Sequence, residues 1–283
     1  MEKRVLGKTG EKLSIVGFGG IVVSGMEQSN ANNVVADAID KGVNYFDVAP
    51  TYGDAEVKLG YALEGKRNNV FLACKAEERT KDGVMKQLEQ SLKNLRTDHF
   101  DLYQMHSMTT QEDFDTAIGP NGAVEALVEA KRKGLTRYIG FSAHSVEIAL
   151  KLIDAFDFDT ILFPTNWVNF FNANFGPQVV EKAAQKGMGY LAIKAMAMTP
   201  LAENEARAYP NCWYKPVDDP ELAALALRFT LSQPGVTAAI PPGDPNLFKL
   251  ALSIGEKPFE KITDEEIELL KQRAKGLKSV FPQ

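Results

Sequence analysis

The chain of 283 residues is 45% hydrophobic and 24% charged, with a formal net charge of −5. Its length fits one α/β barrel of about 250 residues, and its acidic balance excludes a general attraction to nucleic acid or to an anionic membrane. Residues 1–7 lack the apolar core of a secretory signal, no apolar stretch approaches membrane-spanning length, and the two cysteines do not suggest a disulfide framework. We therefore expect a cytoplasmic protein without nucleic-acid or membrane partners, and the sequence leaves its oligomeric state open.

Short apolar runs alternate with segments of helical periodicity along the chain. An N-terminal β-hairpin is predicted at residues 4–14, with glycine in its turn. A capping-box pair, Thr263 and Glu266, predicts an extra C-terminal helix. Between them, eight strands that each precede a helical pattern are predicted at residues 15–19, 44–48, 70–75, 102–106, 138–142, 160–163, 190–193 and 236–240. The sequence thus predicts a single domain over residues 1–283, an α/β fold of the (β/α)8 TIM-barrel type.

Polar residues mark two helix starts. Asp54 and Asp219 each precede a helical pattern and are predicted to cap it, and Pro220 suits the first helical position. Two stretches are predicted to be irregular: a loop over residues 107–122, rich in Ser, Thr, Gly and Pro, and a segment over residues 198–217.

Titratable residues lie at the ends of three successive predicted strands. Asp47 ends the second strand, Lys75 the third and His106 the fourth, and Tyr52 lies in the loop after Asp47. Parallel barrels assemble their chemistry at the carboxyl ends of different strands. Singly, each residue has an ordinary interpretation as a turn, solvated or core residue. Their joint placement favours a shared catalytic site.

Residues 47–53, Asp-Val-Ala-Pro-Thr-Tyr-Gly, resemble the aldo-keto reductase family, and the resemblance runs nearly end to end. Asp47, Tyr52, Lys75 and His106 match that family's catalytic tetrad in chain order. The resemblance implies a nicotinamide cofactor bound across the C-terminal face of the barrel without a Rossmann domain. It also implies reduction of an aldehyde or ketone, with a sugar-derived carbonyl as one option.

The implied mechanism assigns each residue of the tetrad a role. Tyr52 is the general acid, although an unperturbed tyrosine has a pKa of about 10. Lys75 is expected to lower that pKa, because an ammonium favours the phenolate. Asp47 would keep Lys75 charged, and His106 would orient the carbonyl oxygen. The alternative for Asp47 and Lys75 is a purely structural buried ion pair.

The resemblance also implies contacts to the nicotinamide end of the cofactor. Ser142 matches a serine that family members use on the carboxamide, and Asn166 lies where they often place a second amide. The segment after the seventh strand departs from the family pattern, so Ala195 or Met196 would replace the usual stacking ring. Lys194 is predicted to reach the pyrophosphate, with a solvated rim lysine as the alternative.

Glycines and the turn after the eighth strand predict the rest of the cofactor site. Gly20 permits close approach of a ligand, and a helix N-terminus after the turn suits anion binding. NADP(H) is the family's default, whereas a carboxylate in this turn favours the free ribose hydroxyl of NAD(H). The residues assigned to this end of the cofactor are Pro241, Gly243, Asp244 and Asn246.

Substrate contacts are expected from the loops over the same face. Residues 166–172 mix aromatic rings with amides, a combination that holds sugars, although simple packing of those aromatics is the competing interpretation. The residues assigned to the substrate are Ile21, Val22, Trp167, Trp213 and Tyr214.

Two other classes of function fit parts of the sequence. One is a cofactor-binding subunit that senses redox state for a partner, and the other is a barrel lyase or isomerase with Lys75 as a Schiff base. The intact Tyr52 and His106 argue against the first, and the partners of Lys75 fit the second less naturally. No metal site is predicted, because the three histidines show no ligand spacing.

Overall fold

The computed structural model of the protein describes residues 1–281. Its strands are, in chain order, β1 (Lys3–Val5), β2 (Lys12–Ser14), β3 (Phe18–Gly19), β4 (Tyr45–Asp47), β5 (Phe71–Ala76), β6 (Phe100–Met108), β7 (Thr136–Ala143), β8 (Thr160–Pro164), β9 (Gly189–Ile193), β10 (Ala197–Pro200), β11 (Tyr214–Pro216) and β12 (Val236–Ile240).

Helices connect these strands. They are α1 (Gln28–Asp40), α2 (Ala55–Ala62), α3 (Lys81–Asn94), α4 (Gln111–Ile118), α5 (Ala123–Arg132), α6 (Val146–Ala155), α7 (Trp167–Ala173), α8 (Pro177–Gln185), α9 (Pro220–Leu231), α10 (Pro245–Gly255) and α11 (Asp264–Ala274). Across residues 1–281, none of the helices has both the length and the apolar character needed to cross a bilayer.

Eight parallel strands form the central sheet, in the order β12-β9-β8-β7-β6-β5-β4-β3. The first and last strands meet where Val16 bridges Ala239 in parallel. Gly17 N donates to Ala239 O at 2.9 Å, and Ala239 N donates to Ile15 O at 2.9 Å. These bonds close the sheet, so the predicted (β/α)8 barrel is confirmed.

Two apolar layers hold the barrel together. The larger lies between the strands and the outer helices, where residues such as Val35, Leu88 and Leu127 are fully buried. The smaller fills the barrel interior with side chains such as Leu102, Leu162 and Leu191, and includes Leu6 and Leu13 from the N-terminal hairpin. Strands covered on both sides in this way are apolar without alternation, which is the pattern that the sequence carries.

The N-terminal hairpin and C-terminal helix are as predicted. β1 and β2 pair antiparallel, and Gly10 follows their short 3-10 turn with φ of 79°. A left-handed backbone at that point suits glycine. The capping box of Thr263 and Glu266 opens α11, and the Asp219 carboxylate caps α9 by accepting from Leu222 N at 2.9 Å.

Four elements lie where irregular chain was predicted or none was expected. The predicted loop at 107–122 contains α4, which a capping box of Thr110 and Asp113 begins. The segment at 198–217 contains most of an antiparallel hairpin of β10 and β11. The additional helix α7 follows β8, capped by Asn166, whose side chain accepts from Asn169 N at 2.9 Å.

The predicted cap at Asp54 is wrong. Asp54 occupies the N-cap position of α2, but its side chain makes no capping bond. Its carboxylate instead accepts from Gly25 N at 2.8 Å. Asp54 therefore ties the loop after β3 to the start of α2.

Candidate active site

A cavity of about 310 Å³ opens at the carboxyl ends of the barrel strands. Its floor comes from strand residues and its walls from the segments that follow them. The lining residues are Gly19, Ile21, Asp47, Thr51, Tyr52, Lys75, His106, Ser142, His144, Leu162, Ile193, Lys194, Asn211, Trp213, Tyr214, Ile240, Pro241, Pro242 and Gly243. The four residues of the predicted tetrad are thus brought to one cavity.

Asp47 and Lys75 form an ion pair at the floor of this cavity, and both are almost completely buried. The ammonium of Lys75 also donates to the Val48 carbonyl at 3.3 Å. Tyr45 OH and Gln104 Nε2 each donate to Asp47 Oδ2 at 3.3 Å. The carboxylate therefore has partners on both oxygens, which fixes the position of the ammonium.

Burial and pairing oppose each other in this pair. Burial raises the pKa of Asp47, and Lys75 counteracts that rise only in part. Burial also works to lower the pKa of Lys75, but its interactions with Asp47 and, less strongly, with Tyr52 outweigh burial, so this pKa is raised. Lys75 accordingly keeps its positive charge at neutral pH.

Tyr52 lies in the turn between β4 and α2, over the ion pair. The Lys75 ammonium is 5.3 Å from the centroid of its ring. The rings of Tyr52 and His106 meet edge to face, with centroids 6.0 Å apart. Burial raises the pKa of Tyr52, and Lys75 lowers it by less than that rise. The net pKa change is therefore opposite to the expected lowering.

His106 belongs to β6. A charged cluster of Glu77, Arg79 and Asp113, which the sequence did not indicate, lies beside it. Burial, followed by the charge of Lys75, lowers the pKa of His106 to about 2. Arg79 Nη2 donates to the His106 carbonyl at 2.7 Å, while Arg79 Nε donates to Asp113 at 2.8 Å. Glu77 Oε1 is 3.5 Å from His106 Nδ1. The imidazole is therefore neutral and its backbone is fixed.

Ser142 and His144 extend the site along β7. Ser107, whose φ is 55°, donates its backbone N–H to Ser142 Oγ at 2.7 Å. The Ser107 hydroxyl is 2.9 Å from His144 Nδ1. Burial, and then the charge of Lys194, lowers the pKa of His144 to about 4. His144 stands two residues beyond the predicted Ser142, and only its place after a strand end pointed to it.

Lys194, Trp213 and Tyr214 form a second cluster on the cavity wall. Lys194 directly follows β9 with φ of 67°. Its ammonium lies 5.2 Å from the ring centroid of Trp213 and 4.8 Å from that of Tyr214. Desolvation by burial lowers the pKa of Lys194 to about 8. All three predicted residues thus line the cavity.

Seven predicted ligand contacts do not line the cavity: Asp244 and Asn246, at the start of α10, and five buried residues. Gly20 faces the packing instead, since a Cβ there would approach Val48 Cγ2 to 2.8 Å, and the neighbouring Gly19 lies on the cavity wall. The other four are fully or almost fully buried away from the cavity: Val22, Asn166, Trp167 and Ala195.

The physical reason is the additional helix α7. It buries Asn166, Trp167 and Asn169 completely. Phe170 and Phe171 are half-buried against Phe229, and Asn172 is exposed. None of these residues lines the cavity, which favours the packing interpretation. Likewise, Ala195 and Met196, offered as replacements for a stacking ring, are buried in the core.

Of the four residues predicted for the adenosine end of the cofactor, two line the cavity and two lie at the start of α10. Pro241 and Gly243 line the cavity. Asp244 begins α10, and its Oδ1 accepts from Asn246 N at 2.8 Å and Leu247 N at 3.2 Å. Asn246 is exposed at this helix start. The helix therefore presents an N-terminus whose first donors are already bonded to a carboxylate.

Several lining residues were not assigned to the site from the sequence: Thr51, Leu162, Ile193 and Asn211. Asn211 is the informative one, because its Nδ2 donates to the Ile21 carbonyl at 3.2 Å. This bond joins two segments far apart in sequence across the cavity. Nothing in the local sequence marks Asn211, whereas Leu162 and Ile193 could have been found from their places at the ends of predicted strands.

The donors and apolar surfaces of the cavity fit a nicotinamide. Ser142 Oγ accepts from Ser107 N, which leaves its own O–H for an acceptor such as a carboxamide oxygen. Leu162, Ile193 and Ile240 supply hydrocarbon surface beside it. Asn166 lies outside this lining, and its buried Nδ2 has no acceptor within residues 1–281.

Comparison with known proteins agrees with this arrangement. The sequence model described as the aldo/keto reductase family matches residues 16–274. The uncharacterized oxidoreductase YqkF of Bacillus subtilis is 26% identical, with 97% of each chain covered. L-galactose dehydrogenase of Arabidopsis thaliana is 29% identical over 72% of this chain and 68% of its own. An aldo-keto reductase from Bacillus halodurans in its holo form superposes with a TM-score of 0.75 over the full length of both chains, at 21% identity.

Proposed function

Because the chain belongs to the aldo-keto reductase family and is an oxidoreductase, we propose that it reduces an aldehyde or ketone to an alcohol, with Tyr52 as the proton donor. The observation that supports this most directly is the buried ion pair of Lys75 and Asp47 beneath the Tyr52 ring. A phenol held over a fixed ammonium can lose its proton to a developing alkoxide, because the ammonium stabilises the phenolate that results.

The bound nicotinamide would supply a hydride, and the residues of the chain would manage the proton and the orientation of the carbonyl. The pKa of Tyr52 is raised, so its hydroxyl is protonated at neutral pH and ready to donate. Lys75, held by Asp47, opposes the negative charge that Tyr52 acquires. His106 is neutral and can donate a ring N–H to the carbonyl oxygen without adding a charge. The reverse reaction needs the phenolate as base, so a raised phenol pKa moves the pH optimum of alcohol oxidation upward.

Ser142 would hold the carboxamide, and Pro241 and Gly243 would lie along the diphosphate. The family uses nicotinamide cofactors, with NADP(H) as the default. We infer that this chain discriminates weakly and accepts NAD(H), because the Asp244 carboxylate would disfavour a 2′-phosphate at the start of α10. The first donors of α10 are moreover bonded to that carboxylate, so they are not free for a phosphate.

The test is reduction of a carbonyl panel by wild type and Tyr52→Phe, followed through cofactor oxidation. We expect Tyr52→Phe to lower kcat/KM by about 10²- to 10⁴-fold, the usual contribution of a general acid, with the Kd of the cofactor unchanged because the ring stays. Tyr61→Phe is the matched control, since Tyr61 is 47% exposed on α2.

Near-normal reduction by Tyr52→Phe would reject Tyr52 as the acid. Tight cofactor binding by wild type without turnover of any carbonyl would instead favour a redox-sensing subunit.

A further inference from the structure

Lys194 is a cation in the active-site cavity that the proposed mechanism does not use. Its ammonium rests against the rings of Trp213 and Tyr214. The titratable groups that influence it are the Cys212 thiol, which is neutral, and Lys75, with no carboxylate among them. Lys75, the other lysine of the cavity, is paired with Asp47. The aromatic rings hold Lys194 in place but leave its charge uncompensated.

The charge balance of the cavity follows from its other titratable residues. His106 and His144 are neutral because burial lowers both pKa values. Asp47 and Lys75 cancel each other. Within residues 1–281 the cavity wall therefore carries one net positive charge, that of Lys194. Lys194 is half-buried. A partly desolvated, unpaired charge is unfavourable, and an anionic ligand would offset that penalty.

We propose that Lys194 binds the carboxylate of the carbonyl substrate, so that small oxo acids are the preferred substrate class; this rests on the proposed reductase function. The position of Lys194 favours substrate over cofactor diphosphate. Its charge acts on both His106 and His144, at the end of the cavity that holds the tetrad.

A carboxylate fits the site better than a phosphate. A lysine ammonium acts as a compact point charge, whereas multidentate recognition of phosphate favours a guanidinium or several N–H groups. No arginine of residues 1–281 lines the cavity. One uncompensated ammonium matches a monoanion in charge.

The experiment compares oxo acids with their methyl esters, which keep the carbonyl and lose the charge. Pyruvate, 4-oxopentanoate and succinate semialdehyde, each with its ester, would be assayed with wild type, Lys194→Met and Lys194→Arg. We expect wild type to prefer at least one acid over its ester, and Lys194→Met to lose about 10- to 100-fold in kcat/KM for that acid alone. Lys194→Arg should restore part of the preference. Lys215→Met is the control, because Lys215 lies outside the cavity and pairs with Glu205 at 2.8 Å.

A second readout does not require turnover. Trp213 contacts Lys194 and is 42% exposed, whereas Trp167 is fully buried. Binding of the preferred acid should therefore change tryptophan fluorescence in wild type and not in Lys194→Met. Melting temperatures and cofactor Kd values of all variants establish that they are folded.

Each outcome decides the proposal. Equal use of acids and esters by wild type, or equal binding of the acid by wild type and Lys194→Met, overturns it. An increase in cofactor Kd in Lys194→Met that affects acid and ester alike assigns Lys194 to the diphosphate and also overturns it. If the acid binds through Lys194 but neither acid nor ester is reduced, the carboxylate site stands and the reductase function fails.

Discussion

The charge of Lys75 determines how readily Tyr52 exchanges its proton. In Lys75→Met the phenol loses the ammonium that lowers its pKa, so this pKa should rise further. We expect the pH optimum of alcohol oxidation to move upward. Each pH unit of that shift corresponds to about 1.4 kcal/mol of lost phenolate stabilisation. The measurement is kcat/KM against pH in both directions, and an unchanged oxidation profile would contradict the role of Lys75.

The Lys75→Met substitution also leaves the buried Asp47 carboxylate without its ion-pair partner. Removing one partner of a buried ion pair destabilises a protein by about 3–5 kcal/mol, and Asp47 is only 2% exposed. The double variant Asp47→Asn/Lys75→Met has no stranded charge and should recover much of that stability while staying inactive. Urea denaturation of both variants separates lost catalysis from lost folding.

The pH response of Lys194 gives another prediction for a single residue. Its pKa is about 8, so its charge is lost as pH rises through that value. None of the facing groups reverses this loss of charge. The imidazoles of His106 and His144 are neutral, and Lys75 keeps its charge. Burial raises the pKa of the Cys212 thiol and of the Tyr214 phenol. The KM for the preferred oxo acid should therefore rise between about pH 7 and pH 9. The KM for the ester should change much less, and parallel changes would contradict the assignment.

Among the elements, α10 links cofactor choice to helix capping. The Asp244 carboxylate caps this helix, so a change to alanine would remove both the cap and the charge. Asp244→Asn keeps a good capping side chain and removes only the charge. We expect Asp244→Asn to raise the affinity for NADPH relative to NADH at nearly unchanged melting temperature. Asp244→Ala should lower stability by about 0.5–2 kcal/mol.

Fluorescence titration of both cofactors against wild type, Asp244→Asn and Asp244→Ala gives the ratios. A wild-type preference for NADPH above about 100-fold, which corresponds to about 2.7 kcal/mol, would reject the inference that Asp244 weakens discrimination.

The elements differ in how far the sequence could predict them. Buried parallel strands carry continuous apolar runs, so the eight barrel strands and the polar residues at their ends were predictable. Helix α4 was hidden because Gly119, Pro120 and Gly122 directly after it make the whole stretch read as a loop. Helix α7 has only 7 residues, too few to show a helical period, and it follows a strand end where a loop was expected.

The site residues that lie on barrel strands could be predicted from the sequence, whereas those that depend on other contacts could not. Asp47, Lys75 and His106 occupy strand positions, and alternation along a strand fixes which side chains point inward. Trp167 and Asn166 depend on α7, so their directions could not be inferred. Asn211 and Arg79 reach the site through tertiary contacts that no local pattern records.

For the molecule as a whole, the buried histidines predict weak acid stability. His106 and His144 have pKa values of about 2 and about 4, whereas an unfolded histidine has about 6.5. Below that value the unfolded chain binds protons that the folded chain excludes, so stability falls as pH falls. At about pH 4.5 each histidine should have removed about 2–3 kcal/mol.

Urea denaturation of wild type and His144→Gln across this range checks the prediction, with His99→Gln, on the surface at 33% side-chain exposure, as the control. His144→Gln should lose less stability on acidification. The raised pKa of Asp47 acts in the opposite direction, but it is common to all three proteins and cancels in the comparison.

The hydrogen bonds between Ala239 and the chain at Ile15 and Gly17 also bear on biosynthesis. The first barrel strand, β3 with the residues just before it, can pair with β4 early in synthesis. Its other edge pairs with β12, which is synthesised more than 200 residues later. At translation rates of about 5–20 residues per second, that edge stays open for roughly 10–40 seconds. An unpaired strand edge is a template for pairing with other chains. The ribosome-bound protein is therefore most exposed to misassociation, and most dependent on chaperones, until its final β/α unit emerges.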